Sequence, residues 1–295
     1  MSPLSQTHIA PSDKPARPAT LWQRALRHRS FMLGAVLVAL VLGVALLSLV
    51  WQPYPPAELD IPNKLQGPST QHWLGTDSLG RDIASQLMVG AQSALMVGLL
   101  AVGLGLVMGL ALGLLAAARR GWVDEVLMRA VDFGFAFPAL LTAILLAAAQ
   151  GPGLATSIIA IGLFNIPVFM RVTRAAAMNV WARDYILAAR LSGLSTWTIT
   201  RSHVLPNIAA PLIVQATIQC ALAILAEAAL AFLGLGTQAP QPSWGRMLAD
   251  AQLQLFNAPL LALWPGLAIA ITVLGLNLLG DGLRDLLDPK LRHRH

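Results

Sequence analysis

The stretch Arg183-Asp184-Tyr185-Ile186-Leu187-Ala188-Ala189-Arg190-Leu191-Ser192-Gly193, followed nine residues later by His203-Val204-Leu205-Pro206-Asn207, lies between two strongly hydrophobic spans. Connections between membrane helices are short as a rule. One of about 25 residues with helical periodicity, an alanine pair and a central glycine is more than a linker. Asp184 is placed to cap a helix starting near Tyr185, in which Ile186, Leu187, Ala189 and Leu191 offer apolar groups while Arg190 stays in water. Gly193 permits a sharp turn into a second short helix capped by Ser195, and Pro206 is expected to end that helix before the next span. Periodicity leaves two readings open. The segment is a rigid lever inserted into a cleft on another protein, or an amphipathic stretch among lipid headgroups, which Trp197 and Arg201 also suit.

The rest of the chain says where this segment sits. Of 295 residues 56% are apolar and 12% charged, and the mean hydropathy is +0.65, whereas charged residues make up about a quarter of a soluble domain. The expected class is an all-α integral membrane protein, since helices satisfy their own backbone groups in hydrocarbon. Six runs near the required length of about 20 residues cover 32–50, 94–118, 131–149, 154–172, 211–235 and 260–279. An even number places both termini on one side. On this plan seventeen of the twenty Lys and Arg fall on the side of the termini and of the 181–210 connection, against Lys64, Arg81 and Arg246 on the other, which marks the former as cytoplasmic. The division that follows is a disordered, Ser/Pro/Ala-rich tail at 1–30, a first membrane helix and extracytoplasmic segment at 31–93, a core of five membrane helices at 94–280, and a cytoplasmic tail at 281–295. The first run follows a basic segment but lacks a small-residue cleavage pattern before Trp51, so it reads as a retained anchor and not a signal peptide.

A net charge of +6 would suggest nucleic acid in a soluble protein; here the basic residues flank apolar runs and report topology. The single cysteine, Cys220, excludes an intrachain disulfide and lies in an apolar run. Gly105, Gly109 and Gly113 share one helix face and favour close helix packing. Pro138 and Pro167 are placed to kink the third and fourth spans without halting them. Glu227 is a carboxylate inside the fifth span, which costs roughly 2.5 to 3.5 kcal/mol unless it meets water or a partner. It is a candidate for the pathway or a gate, with an interhelical hydrogen bond as the alternative. Gly280 and Gly282 are placed to end the last membrane helix, with Arg284 near its terminal carbonyls. No Gly-Lys-Ser/Thr phosphate loop, His-Glu-x-x-His or Gly-x-Ser-x-Gly occurs, and the six histidines are scattered, so neither catalytic residues nor a metal site are expected.

Ala188-Ala189, three residues, Gly193, nine residues, then His203-Val204-Leu205-Pro206 is similar to the cytoplasmic signature Glu-Ala-Ala-x3-Gly-x9-Ile-x-Leu-Pro of permease subunits of ATP-binding-cassette importers. Leu187 stands where that motif has Glu, and His203 where it has Ile. Leu74-Gly75-Thr76-Asp77-Ser78-Leu79-Gly80-Arg81-Asp82 resembles the Leu-Gly-Thr-Asp-x-x-Gly-Arg-Asp of peptide and nickel permeases. With the segments around Glu227 and from Trp264 to Asp288, it narrows the resemblance to their second, or C-type, subunit. The resemblance implies a type I importer permease fold with six membrane helices. It also implies a coupling helix built from Asp184, Tyr185, Leu187, Ala188, Ala189, Arg190, Gly193, Leu205 and Pro206 that docks on an ATPase. The implied partners are a second permease, two ATPase subunits that carry ATP and Mg, and an extracytoplasmic solute-binding protein in the bacterial inner membrane, with no cofactor on this chain. Gly75, Asp77, Arg81 and Asp82 become candidates for an extracytoplasmic contact. From the residues, Asp77 can cap the helix leading into the second span, while Arg81 and Asp82 stay exposed. Di- or oligopeptides lead as substrate, with nickel chelates, glutathione or peptide-like antibiotics as alternatives. An ion-coupled secondary transporter or a membrane scaffold are the readings from other classes.

Overall fold

In the computed structural model, residues 25, 26 and 28–287 are described, so the expected disorder of residues 1–24 and 27 and the end of the tail, 288–295, lie outside them. Among the described residues there are nine helices of eight residues or more, a single 3-10 turn at Ile61–Asn63, and no strand beyond an isolated bridge between Thr76 and Asp82. The helices are α1 (Arg29–Leu47), α2 (Ile83–Arg119), α3 (Gly121–Ala136), α4 (Ala139–Gln150), α5 (Leu154–Trp181), α6 (Asp184–Leu191), α7 (Thr196–Phe232), α8 (Trp244–Gln252) and α9 (Leu260–Leu287). Helices α1, α2, α5, α7 and α9 are each long and apolar enough to cross a membrane.

The sixth span is broken. Helices α3 and α4 qualify only together and meet at 83°. Pro138 therefore halts the third span where a kink was expected. Its ring disfavours the α conformation in the preceding residue, and Phe137 is extended (φ −95°, ψ 129°). Pro167, by contrast, sits inside an unbroken α5. Its place in the middle of a well-packed helix lets neighbours hold the turn that lost a donor.

The spine of the bundle is the seam between α2 and α5, where glycines of α2 at four-residue spacing admit the side chains and backbone of α5. Gly105 lies over Asn165, Gly109 over Phe169 and Gly113 over Thr173, while Gly162 of α5 returns the contact against Ala101 and Leu104. A methyl group on Gly113 would stand 2.7 Å from the Thr173 Cβ, so these backbones touch with no side chain between them. The packing expected of the three glycines is what they do.

Several helix ends differ from the sequence reading. Helix α2 begins at Ile83, eleven residues before the apolar run, and its 37 residues make a rod of about 55 Å, far longer than a hydrocarbon core. Gly280 and Gly282 do not end the last helix, which continues through Arg284 to Leu287. Both glycines instead admit neighbours, Gly280 the Thr217 side chain and Gly282 the backbone of Phe31. The expected core-to-tail boundary at 280 thus falls in mid-helix. Pro206 likewise does not end a helix: α7 runs through it, because the turn Thr200–Val204 is wound as a π-helix and the Leu205 amide bonds to Thr200 O. The wider turn carries the Leu205 amide onto Thr200 O, and the helix continues across the proline.

Helix α8 is pinned to the start of α2. Trp244 Nε1 donates to Leu87 O at 3.0 Å, and its ring fills the notch above Gly90. The 49–82 segment, the first turns of α2 and α8 therefore share one end of the bundle, and α6 lies at the other.

Candidate functional site

Helix α6 leaves the end of α5 and projects from the bundle. Arg183, extended at φ −82°, precedes it, and no side chain caps it. Asp184 is the first helical residue and not the cap; there its charge still favours the partial positive end of the helix. Three contacts tie α6 down. Ile186 is buried, Arg190 lies with its guanidinium 4.9 Å from the Trp181 ring, and Tyr185 meets the His203 ring at 6.3 Å. Arg190 is thus exposed but not free, and it adds a cation–π contact to the helix junction.

The turn after α6 is a Schellman motif. The Gly193 amide donates to Arg190 O at 2.9 Å, the Leu194 amide to Ala189 O at 3.2 Å, and Gly193 takes φ +81°. Only glycine enters that conformation without strain. Ser195 then caps α7, accepting from the Thr198 amide at 3.2 Å as the sequence predicts. Below this surface Ile199 and Val204 are buried, so α7 carries the turn directly into the core.

Large apolar side chains face out here beside the exposed Asp184 and Arg190. Leu187 is 59% exposed, Leu191 82% and Trp197 73%, with Tyr185 and Leu194 beside them and Ala188 between. Leu187 and Leu191 are one turn apart and form a single ridge. An exposed ridge of this kind on an ordered, thrice-anchored helix marks an interaction surface. Leu205 is half-buried and Pro206 exposed at the start of the long part of α7, beyond the π-turn.

At the opposite end, Gly75, Asp77, Arg81 and Asp82 are turned inward, which corrects the expectation that Arg81 and Asp82 stay exposed. Asp77 accepts from the amides of Leu79 (2.8 Å) and Arg81 (2.9 Å), from Arg81 Nε (2.6 Å) and from Gln86 Nε2 (3.0 Å). It organises the loop and does not cap α2. The cap is Asp82, which accepts from the Ser85 amide at 2.8 Å and meets His72 Nδ1 at 2.9 Å. Arg81 reaches on to Asp250 at 3.3 Å, joining the loop to α8. Gly75, at φ +88°, packs on Gln66 O. These side chains hold the 60–82 loop to the bundle. Asp77→Ala is expected to strand Arg81 and lower stability by about 3 kcal/mol, the scale for losing half of a buried ion pair. A fall in the thermal midpoint of the solubilised protein would report it; an unchanged midpoint would refute the role.

Glu227 is buried and accepts from Thr237 Oγ1 at 3.3 Å. The 233–243 loop folds back over the end of α7, with Gly236 against Ala231 and Gly245 against the Ala228 carbonyl, and seals the carboxylate beneath it. The bond it makes is to the covering loop and not to a neighbouring helix. Glu227→Gln keeps an acceptor for Thr237, and we expect uptake within about twofold of wild type at normal expression. Loss of uptake in a normally accumulating variant would return the gate.

The sequence reading missed the Arg190–Trp181 and Tyr185–His203 contacts and the π-turn. A proline two residues beyond a run of Thr, Ser and His was the one available signal for the turn. Among the described residues no group of three or more His, Cys, Asp and Glu could hold a metal ion.

Comparison with known proteins assigns the arrangement. Residues 109–293 match the family described as binding-protein-dependent transport system inner membrane component, and residues 19–68 match the N-terminal TM domain of oligopeptide transport permease C. The chain is 41% identical over 275 residues to the dipeptide transport system permease protein DppC of Alkalihalophilus pseudofirmus, covering 92% of this chain and 90% of that one. It is 43% identical over 302 residues to the di/tripeptide transport system permease protein DppC of Pseudomonas aeruginosa, covering 98% and 99%. It is 41% identical over 272 residues to the glutathione transport system permease protein GsiD of Pectobacterium atrosepticum, covering 92% and 90%. Among solved structures, a chain of the inward-facing MetNI methionine ABC transporter superposes with a TM-score of 0.59 at 18% identity, over 69% of this chain and 97% of that chain. That likeness is one of fold: a type I importer permease.

Proposed function

The chain belongs to the family of binding-protein-dependent transport system inner membrane components, and from that premise we propose that it forms half of the translocation pathway of an ATP-driven importer of di- and oligopeptides. The observation that carries this is the apolar ridge of α6, anchored at Ile186 and Arg190 and exposed at Leu187 and Leu191. It suits a cleft on a separate ATPase subunit, where ATP and Mg are bound and hydrolysis occurs. In keeping with the charge distribution, α6 and both termini face the cytoplasm. A second permease completes the pathway, and an extracytoplasmic binding protein delivers the solute at the opposite end. Two discrete packings of the bundle give alternating access, and the docked ATPases bias them by differential contacts through α6.

The substrates in the names of the three relatives, dipeptides, di/tripeptides and glutathione, are all short peptides or peptide-like. That supports peptides as the substrate class and keeps glutathione as a variant of the same chemistry. Gly193→Trp tests the coupling. Tryptophan resists φ +81° and breaks the turn that presents α6. The expected result is loss of the ATPase subunits on co-purification with the second permease still bound. Retention of both with full uptake would overturn the proposal.

A further inference from the structure

Between α8 and α9 the chain makes a tight turn closed by its own backbone. The Gln254 amide donates to Ala251 O at 3.0 Å, and the Asn257 and Ala258 amides donate to Gln254 O at 3.0 and 2.8 Å. This ordered turn holds three large apolar side chains outward: Leu253 is 86% exposed, Phe256 is 100% exposed, and Leu255 is also exposed. It cannot withdraw them into the bundle, because α8 behind it is fixed through the buried Trp244, Met247 and Ala251. Leaving three such groups in water forgoes their transfer free energy, so the turn is built for an apolar surround.

Two further observations say which. From Ala251 to Gly280 the chain carries no Asp, Glu, Lys or Arg, so the charge-free stretch begins nine residues before α9 itself. The charges of α8 are placed elsewhere, with Asp250 meeting Arg81. The exposed face of α9 is a stripe of Leu260, Leu263, Leu267, Ile271 and Leu274, spaced for one side of a membrane helix. The apolar stripe of the span thus begins four residues after Phe256, with Asn257 as the one polar side chain between.

We propose that residues 253–256 form a membrane anchor. Leu253, Leu255 and Phe256 insert at the boundary between headgroups and acyl chains, in the leaflet at the end of the bundle opposite α6. Gln252, Gln254 and Asn257 stay at headgroup level. The anchor sets the depth at which α9 enters the bilayer, and with it the seam where Gly275 of α9 meets Leu37 of α1.

The test uses the complete transporter reconstituted in vesicles of phosphatidylethanolamine and phosphatidylglycerol. Phe256→Cys in a Cys220→Ala background is labelled with an environment-sensitive fluorophore; Leu253→Cys is the second reporter should the first fail to accumulate. The expected result is blue-shifted emission, quenched several-fold more by lipids carrying a nitroxide near the headgroup than by aqueous iodide. Quenching by iodide at the level of a water-exposed site, or shielding from both quenchers that depends on the second permease or the binding protein, would overturn the proposal.

Discussion

Replacing Gly109 by isoleucine is expected to prevent the protein from accumulating in the membrane. A Cβ at this position would stand 2.6 Å from the Phe169 Cβ, 2.7 Å from Ile166 O and 2.8 Å from the Met170 amide nitrogen. Two of these three atoms are backbone, so no change of rotamer relieves the overlap. The two helices must separate instead, and the loss spreads to Gly105 over Asn165 and Gly113 over Thr173 on the same seam. Overpacking commonly costs about 1–3 kcal/mol and exceeds that when a backbone must move. Against a total stability on the order of 5–15 kcal/mol, a wedge in the longest seam of the bundle should lower accumulation by about tenfold or more. Gly103→Ile is the control. It lies on the same helix with nothing within 4 Å of its Cβ position and should behave as wild type. Equal membrane levels and equal uptake for the two variants would show that the seam is not what holds the bundle together.

The second large effect is expected at the α6 ridge, and it falls on coupling and not on folding. Leu187 and Leu191 are exposed in this chain, so aspartate at both positions disturbs no internal contact. In an apolar cleft two carboxylates are desolvated without partners, a penalty of the kind that gives interface hot spots values of about 2 kcal/mol or more. A loss of that size is roughly thirtyfold in affinity. Leu187→Asp with Leu191→Asp should therefore accumulate normally and keep the second permease while losing the ATPase subunits and most uptake. Leu187→Glu restores the residue common in the motif and is still expected to weaken docking, because the cleft that receives this chain has to fit a leucine. Undiminished ATPase binding by the double aspartate variant would place docking elsewhere.

The two predictions draw on different kinds of information. The α6 segment was legible in the sequence where local rules govern it. Gly193 at the turn and the Ser195 cap follow from residue type and helical spacing, whereas the burial of Ile186 and the exposure of Leu187 and Leu191 do not. The glycine face of α2 was legible too, but its partner was not, since nothing in Gly109 names Phe169. Proline divided the two cases most clearly. Pro138 breaks a span and Pro206 does not, although both lie in apolar helical sequence. The difference lies in whether the flanking turn can be rewound, as the π-turn at Thr200–Val204 is, and that depends on the packing of Ile199 and Val204.

The polar residues of the opposite end were misread for the same reason. Asp77, Arg81 and Asp82 look like a hydrophilic surface loop, and Glu227 looks like a carboxylate in search of water. Arg81 finds Asp250 across 169 positions of chain, and Glu227 is closed over by Thr237 and the loop that carries it. Hydropathy and charge pattern alone establish a helical membrane protein and the approximate places of its spans, and they single out the 184–207 connection as more than a linker. Hydropathy, charge bias and turn chemistry act on neighbouring residues and can be read along a line. Only the tertiary structure decided which helices touch through glycine, which proline ends a helix, and which charges are buried. Those outcomes depend on groups that meet after the chain has folded back on itself, at separations no local pattern encodes.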